Sequence, residues 1–179
     1  MIAKILVGLA VVIVVFLVVV SVQPSDFRVA RATAIAAPPD VVFSQVNDLR
    51  KWQEWSPWAR LDPHCKVTFA GPESGTGAVF KWAGNNEVGE GQMTIIESRQ
   101  NELVRFRLDF KKPFEGTNEA EFTLKPVGNQ TEVTWAMSGR NNFMLKAVGL
   151  FMNCDKMLGP QFEKGLSQLK TIAEARPKP

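Results

Sequence analysis

Histidine and cysteine, side chains often used in acid–base and nucleophilic catalysis, are few in this sequence of 179 residues. The one histidine, His64, adjoins one of the two cysteines, Cys65. If both lie on a strand they point to opposite faces, which argues against a Cys–His pair. The second cysteine, Cys154, is remote in sequence, and two cysteines have no metal-ligand spacing; whether they pair is open. We therefore predict no catalytic residue, no metal site and no cofactor.

Tryptophan is the more informative residue type, because three of the five tryptophans lie in KWQEWSPW, Lys51–Trp58. Each indole has a large apolar body and one N–H that requires a partner when buried. On a helix, Trp52 and Trp55 share a face, whereas Trp58 follows the helix-ending Pro57. The ordinary role of such residues is to pack helices against a sheet. Two alternatives stay open: they rim a ligand cavity, or they lie at a membrane surface.

Two polar residues share a strand face with apolar ones. The alternation of Glu115–Pro126 puts Asn118 on the apolar face, and that of Glu87–Ser98 does the same for Glu87. A buried carboxylate or amide needs a partner, which a ligand hydroxyl or carbonyl could supply. Solvation at a strand end is the ordinary alternative and is favoured.

The elements that must position these residues follow from periodicity. From Cys65 to Gly139 apolar and polar residues alternate, with turn-forming residues between the runs. Together with Phe27–Ile35, this predicts an antiparallel seven-stranded sheet with one covered and one wet face. The six runs are CKVTFAG, GAVFKWAG, EVGEGQMTIIES, NELVRFRLDF, EGTNEAEFTLKP and QTEVTWAMSG. Their large aromatic residues are candidates for a ligand-binding wall: Trp82, Phe106, Phe122 and Trp135.

Helical spacing appears on either side of these runs. APPDVVFSQVNDLRKWQEW is predicted to be helical up to Pro57. Near the C-terminus, the apolar stripe Leu158, Phe162, Leu166, Leu169 and Ile172 predicts a long helix that covers the sheet. Gly159–Pro160 predicts a kink or a break within it.

A membrane segment precedes the domain. Ile5–Val22 contains no charge, and its 18 residues would rise about 27 Å as a helix, close to the roughly 30 Å of a bilayer core. An uncleaved single-pass anchor is favoured over a cleaved signal peptide, because the run is long and the sequence after it is a poor cleavage site. Lys4 before the span and Arg28 and Arg31 after it nearly balance; the short amino tail favours an exported domain. We assign 1–26 to anchor and tether, 27–175 to the domain and 176–179 to a tail.

The formal net charge of +3 is small and spread along the chain. No run of lysine or arginine indicates a nucleic-acid or polybasic lipid site, so no nucleic-acid partner is predicted. The oligomeric state does not follow from the sequence.

The order strand, helices, six strands and helix resembles the START-like superfamily, also called SRPBCC or the polyketide cyclase/dehydrase and lipid-transport group. The residues that carry the resemblance are APPDVVFSQVNDLRKWQEWSPW, GTGAVFKWAGNNEVGEGQMTI and FEKGLSQLKTIAE. It covers about 27–174. The resemblance implies an α+β helix-grip fold in which a curved antiparallel seven-stranded sheet wraps a long C-terminal helix. It also implies a cavity between sheet and helix for an apolar small molecule, whereas the N-terminal span is not part of the usual pattern.

We therefore expect a membrane-anchored binding module for a lipid, a quinone or a polycyclic molecule. The candidate ligand contacts are Trp52, Trp55, Trp82, Glu87, Phe106, Asn118, Phe122 and Trp135. One alternative is an enzyme of cyclase or hydrolase type that uses Glu87 or His64 for proton transfer. The other is a protein-interaction module whose cavity is filled by side chains. The apolar segment Phe143–Asn153 is expected to pack in the core, with a gate at the cavity entrance as the alternative.

Overall fold

A curved antiparallel sheet of seven strands forms the centre of the domain in the computed structural model, which describes residues 2–150 and 153–175. The strands are β1 (Asp26–Ile35), β2 (Lys66–Ala70), β3 (Val79–Ala83), β4 (Glu90–Arg99), β5 (Leu103–Lys112), β6 (Gly116–Val127) and β7 (Gln130–Arg140). Their order is β1-β7-β6-β5-β4-β3-β2, and every neighbouring pair is antiparallel. The predicted sheet is confirmed.

Within the described residues, five helices and one 3₁₀ turn accompany the sheet. They are α1 (Ile2–Ser21), α2 (Pro39–Val46), α3 (Trp52–Trp55), the 3₁₀ turn Pro57–Arg60, α4 (Phe143–Gly149) and α5 (Cys154–Glu174). α5 packs across β1 and contacts α2, α3 and the 3₁₀ turn. The helix-grip architecture expected from the sequence is therefore confirmed.

The region before Pro57 is not one helix but two, α2 and α3. α2 ends at Val46, and the indole N–H of Trp52 donates to the carbonyl oxygen of Val46 (2.9 Å). The indole N–H of Trp55 donates to the carbonyl oxygen of Gln45 (3.3 Å). Side-chain donors thus bind carbonyl groups that a continuing helix would have bonded along its backbone. The chain folds back on α2 instead of extending it.

The predicted interruption at Gly159–Pro160 does not end α5, which is helical from Cys154 to Glu174. Pro160 deprives one carbonyl, that of Lys156, of its intrahelical partner. Both residues are exposed, so water can hydrate that carbonyl. The stripe of α5 is placed largely as predicted: Phe162, Leu166 and Leu169 are buried, and Leu158 and Ile172 are half-buried.

α5 contacts the inner face of the sheet at Gly165. A Cβ atom there would lie 2.7 Å from Cζ3 of Trp135 and 3.1 Å from Cδ of Pro57. Only glycine leaves room for this contact. The core of the domain lies in this layer, between the inner face of the sheet and α2, α3 and α5.

α1 is exposed along its length except at Val20. Its 20 residues make it long and apolar enough to cross a membrane, as a signal sequence also would be. β1 begins five residues after α1 ends. Cys65 and Cys154 are free thiols. The predicted tail 176–179 lies outside the described residues, as do Phe151 and Met152 of the segment predicted to pack in the core. Phe143 and Met144 of that segment are exposed, so the core prediction is wrong for them.

Candidate functional site

A pocket of about 430 Å³ lies between the inner face of the sheet and α5, with α3 and the 3₁₀ turn on one side. Its volume falls in the range of about 300–1,000 Å³ typical of small-molecule sites. The buried side chains of its wall are all apolar: Trp52, Trp82, Met93, Ala120, Trp135, Met137 and Phe162. This part of the pocket disfavours charge and accepts an apolar body.

Polar residues collect where the pocket meets solvent. Asp62, Glu87 and Lys112 line the pocket there, together with Pro63 and Pro113. Lys112 ends β5 and lies opposite Glu90, which begins β4. Its ammonium also pairs with the Glu90 carboxylate (3.2 Å), and this hydrogen bond, more than the charge alone, lowers the pKa of Glu90. Three of the five exposed lining residues, Glu87, Lys112 and Pro113, belong to this region, so we place the mouth at the end of the sheet where β5 ends and β4 begins.

The loop before β4 carries Glu87 to the mouth. The side-chain oxygen of Asn85 accepts from the backbone N–H of Glu87 (2.9 Å) and Val88 (3.2 Å). The indole N–H of Trp82 donates to the carbonyl oxygen of Val88 (3.2 Å). β4 begins only at Glu90, so the alternation that predicted an inward Glu87 does not extend to it. Glu87 is exposed, and it lines the pocket from a fixed loop rather than from a strand.

Asn118 lies on the inner face of β6, half-buried, opposite Gly139 of β7. Its side-chain oxygen occupies the space above Gly139 that a Cβ atom would take. Asn118 is not among the residues that line the pocket. Its predicted contact with a ligand therefore receives no support from its position.

The predicted aromatic contacts divide into two groups. Trp52, Trp82 and Trp135 line the pocket, whereas Trp55, Phe106 and Phe122 are fully buried behind it. Trp135 stacks on Phe122 and Phe162, with ring centroids 4.8 and 4.2 Å apart. Most of these rings therefore build the core, and three of them also present a surface to the pocket. The ligand contacts themselves stay predictions.

The indole N–H groups of Trp52 and Trp135 differ in a way that stability measurements can detect. The Trp52 N–H donates to Val46, whereas the buried Trp135 N–H has no hydrogen-bond partner among the described residues. Trp52→Phe should leave the Val46 carbonyl unpaired and destabilise the fold by about 1–3 kcal/mol more than Trp135→Phe does. Thermal unfolding of both variants measures the difference. Equal losses of stability in the two variants would show that the hydrogen bond from Trp52 to the carbonyl of Val46 contributes nothing to the fold.

Sequence reasoning missed Arg31, whose side chain points inward from β1. Its Nε donates to Glu163 (2.7 Å), and its two Nη atoms donate to the carboxylate of Asp155 (2.8 and 2.9 Å). The missing Cβ of Gly159 leaves space for the guanidinium. Arg31 thus fastens the start of α5 to the edge strand of the sheet. The alternation of Phe27, Val29 and Arg31 could have revealed it.

The ion pair with Arg31 makes the stability of the fold depend on pH. The hydrogen bond from Arg31 lowers the pKa of Asp155 below its ordinary value of 3.8. A carboxylate with a depressed pKa stabilises the fold above its ordinary pKa, and this contribution is lost as pH falls through the depressed value. Asp155→Asn should therefore lower the melting temperature at about pH 7, and the difference from the native chain should shrink below about pH 3.8.

The matched control for that measurement is Asp40→Asn, because Asp40 is also exposed and also lies in the first turn of a helix. It should lower the melting temperature at neutral pH by less than Asp155→Asn does. A difference between Asp155→Asn and the native chain that stays constant down to about pH 2 would contradict the assignment.

Cys65 and His64 do not form a nucleophilic site. Cys65 lines the pocket, and burial raises the pKa of its thiol, which keeps the thiol protonated and poorly nucleophilic at neutral pH. His64 lies in an exposed turn, where its backbone N–H donates to the carboxylate of Asp62 (2.9 Å). Within 2–150 and 153–175, no three His, Cys, Asp or Glu side chains are grouped to hold a metal ion.

Comparison with known proteins places the domain in a wider group. The family model described as "Polyketide cyclase / dehydrase and lipid transport" matches residues 26–174. No curated protein sequence matches the chain. Many solved structures share the fold, at identities too low to show more than the fold.

Three of these structures illustrate the range. Protein CV1439 from Chromobacterium violaceum is 15% identical with a TM-score of 0.60, covering 86% of this chain and 100% of its own. The Aha1 dimer from Colwellia psychrerythraea is 18% identical with a TM-score of 0.61, covering 83% and 97%. Ginseng major latex-like protein 151 from Panax ginseng is 13% identical with a TM-score of 0.62, covering 83% and 98%.

Proposed function

The chain belongs to the polyketide cyclase / dehydrase and lipid transport family, and from that premise we propose that it is a membrane-anchored binding protein for an apolar small molecule. The ligand is of the lipid, quinone or polycyclic class and lies in the pocket between the sheet and α5. The observation that carries the proposal is the pocket itself, whose volume of about 430 Å³ and apolar wall suit a molecule of that class.

The distribution of polarity along the pocket orients the ligand. Met93, Leu108 and Met137 are wall residues without a hydrogen-bonding group, so the apolar body lies among them. Lys112 and Glu87 are exposed at the mouth, where a hydroxyl, carbonyl or charged end of the ligand can stay hydrated. Methionine and leucine adapt their shape more readily than aromatic residues, which suits a ligand of variable outline.

The anchor gives such a ligand a source. α1 remains attached as a single-pass span in this proposal, and it holds the domain where apolar molecules partition. We further propose that the domain lies on the exported side, because the tail before the span is short and carries Lys4.

Binding is proposed rather than turnover because of where the ionisable groups lie. Asp62, Glu87 and Lys112 are at the mouth, and the one thiol in the wall, Cys65, is held in its neutral form by burial. A general acid or base must lie within hydrogen-bond reach of the reacting atom. The apolar wall offers no such group beside the body of the ligand.

The test is mass spectrometry of small molecules that remain bound to the full chain after mild detergent extraction from its own membranes. We expect one apolar compound of a few hundred daltons at close to one molecule per chain. The matched reference is the detergent extract of the same membranes without the protein. A full chain that is folded and carries nothing enriched over this reference would overturn the proposal.

A further inference from the structure

Exposed apolar side chains gather at one end of the domain. The registers Asp26–Arg140, Asn118–Gly139 and Phe110–Gly116 place the start of β1, the end of β7, the start of β6 and the end of β5 at the same end of the sheet. Four large apolar side chains near this end of the sheet are 46–71% exposed: Val22, Phe114, Phe143 and Met144. We name these four residues the apolar rim. Water is a poor environment for them, so a partner is expected.

The same end of the sheet is held next to α1. α4 follows β7 after two residues and contacts α1. The ammonium of Lys146 in α4 donates to the carbonyl oxygen of Ser21 (3.5 Å), and the backbone N–H of Asn141 donates to that of Ser25 (2.7 Å). α4 is therefore held beside the last turn of α1 rather than suspended at the end of a tether.

This attachment fixes the depth of α4 relative to a membrane. The 20 residues of α1 rise about 30 Å, the thickness of a bilayer core. If α1 spans the membrane, its last turn lies at the boundary between hydrocarbon and headgroups. α4, which contacts that turn, then lies at the same level with Phe143 and Met144 exposed. Lys146 lies in its last turn and can reach the headgroup layer, as lysine does at such boundaries.

The mouth of the pocket opens at this end of the sheet too. Lys112 and Pro113 line the mouth and directly precede Phe114 of the apolar rim. Leu158, near the start of α5, lines the pocket on the opposite side. The rim, the mouth and the end of the membrane helix thus share one face of the molecule.

We propose that the membrane entered by α1 also covers the apolar rim, so that α4 and the β5–β6 turn lie in its interfacial layer and the pocket opens onto the bilayer. The ligand then passes between bilayer and pocket without crossing bulk water. This inference rests on the proposed function, since it requires α1 to remain as an anchor. The occupant of the rim is lipid, because the rim is continuous with the one segment of the described chain that can enter hydrocarbon.

The test measures the depth of single fluorescent labels in the full chain reconstituted in phosphatidylcholine nanodiscs. Met144→Cys probes the rim in a Cys65→Ser, Cys154→Ser background, with an environment-sensitive dye on the cysteine. Val127→Cys is the matched control, because Val127 is also apolar and exposed, at 57%, but it is the last residue of β6, at the opposite end of the sheet. Val12→Cys, in α1, reports insertion. Quenching by lipids spin-labelled near the headgroup is compared at 144 and 127, and quenching by lipids spin-labelled deep in the acyl chain is measured at 12.

The expected result is quenching at 144 at least threefold stronger than at 127, with a blue-shifted emission. Equal quenching at 144 and 127, with strong quenching at 12, would overturn the inference and leave the anchored binding protein intact. If shielding of the label at 144 from water increases with protein concentration and lipid does not quench the label, a second copy of the chain covers the apolar rim. That result would also overturn the inference. No lipid quenching at 12 or 144 would refute the anchor itself, whereas ligand co-purification tests the pocket separately.

Discussion

Leu108→Trp is expected to lower the ligand retained by the full chain at least tenfold while the domain still folds. Leu108 points inward from β5, is half-buried and lines the pocket, opposite Met93 of β4. An indole at this position extends into free volume rather than into packed core, so it fills space that the ligand requires. Substitution toward an existing cavity avoids the strain that overpacking a filled core produces. Mass spectrometry of the purified chain, before and after substitution, measures the retained ligand.

The control is Ile96→Trp, which places the same side chain on β4 at a position that is 40% exposed and outside the pocket lining. It should retain the native amount of ligand. Leu108→Ala enlarges the same site and should also retain ligand. Undiminished ligand in Leu108→Trp, with a native melting temperature, would show that the ligand lies elsewhere on the chain.

The sheet was predictable because each of its central strands has one covered face. In β5, Val104 and Phe106 are buried while Arg105 and Arg107 pair with carboxylates outside. This burial imposes period-two alternation, and the sequence shows it directly. The lengths of the short helices were not predictable in the same way. α2 and α3 are separate helices, and the indole N–H groups of Trp52 and Trp55 bind the carbonyls of Val46 and Gln45 at the end of α2. These contacts depend on tertiary packing, which periodicity in the sequence does not report.

The candidate site was predictable only in part, for a physical reason. Leu108 and Met137 line the pocket, whereas Phe106 and Phe122 are buried behind it, yet all four are apolar residues on the inner face of the sheet. What distinguishes them is whether side chains from α3 and α5 fill the space opposite, which depends on residues distant in sequence. Trp52, Trp82 and Trp135 line the pocket because large rings reach both core and pocket, and their contact with a ligand stays a prediction.

Glu87 and Arg31 show the limits of alternation as a guide to polar positions. The rule failed at Glu87 because Gly89, with a φ of 71°, turns the chain before β4 begins. A Cβ atom there would collide with the backbone of Lys112, so the turn also requires glycine. The rule would have succeeded at Arg31, which keeps the register of its strand. Alternation is informative inside a paired strand and loses meaning one residue beyond it.

Gly165→Leu is expected to destabilise the fold strongly. The added side chain would enter the contact in which α5 touches Trp135 and Pro57, where even a Cβ atom would lie 2.7 Å from the indole. Neither neighbour can yield easily, because Trp135 is clamped between Phe122 and Phe162. Overpacking of this kind costs about 3 kcal/mol, which in a chain of this size corresponds to a fall in melting temperature of roughly 6–12 °C.

Gly149→Leu is the matched control, because Gly149 is also helical and a Cβ atom there meets nothing within 4 Å. It should leave the melting temperature unchanged or raise it, since leucine favours a helix over glycine by up to about 1 kcal/mol. Both substitutions replace a helical glycine by leucine, so the difference between them chiefly reports the contact of α5 with the sheet. Because Trp135 and Phe162 also line the pocket, any folded Gly165→Leu protein should retain less ligand than Gly149→Leu. Equal stability of the two variants would mean that α5 can lift from the sheet at little cost, and the pocket beneath it would then be defined by the ligand rather than by the packing of the helix.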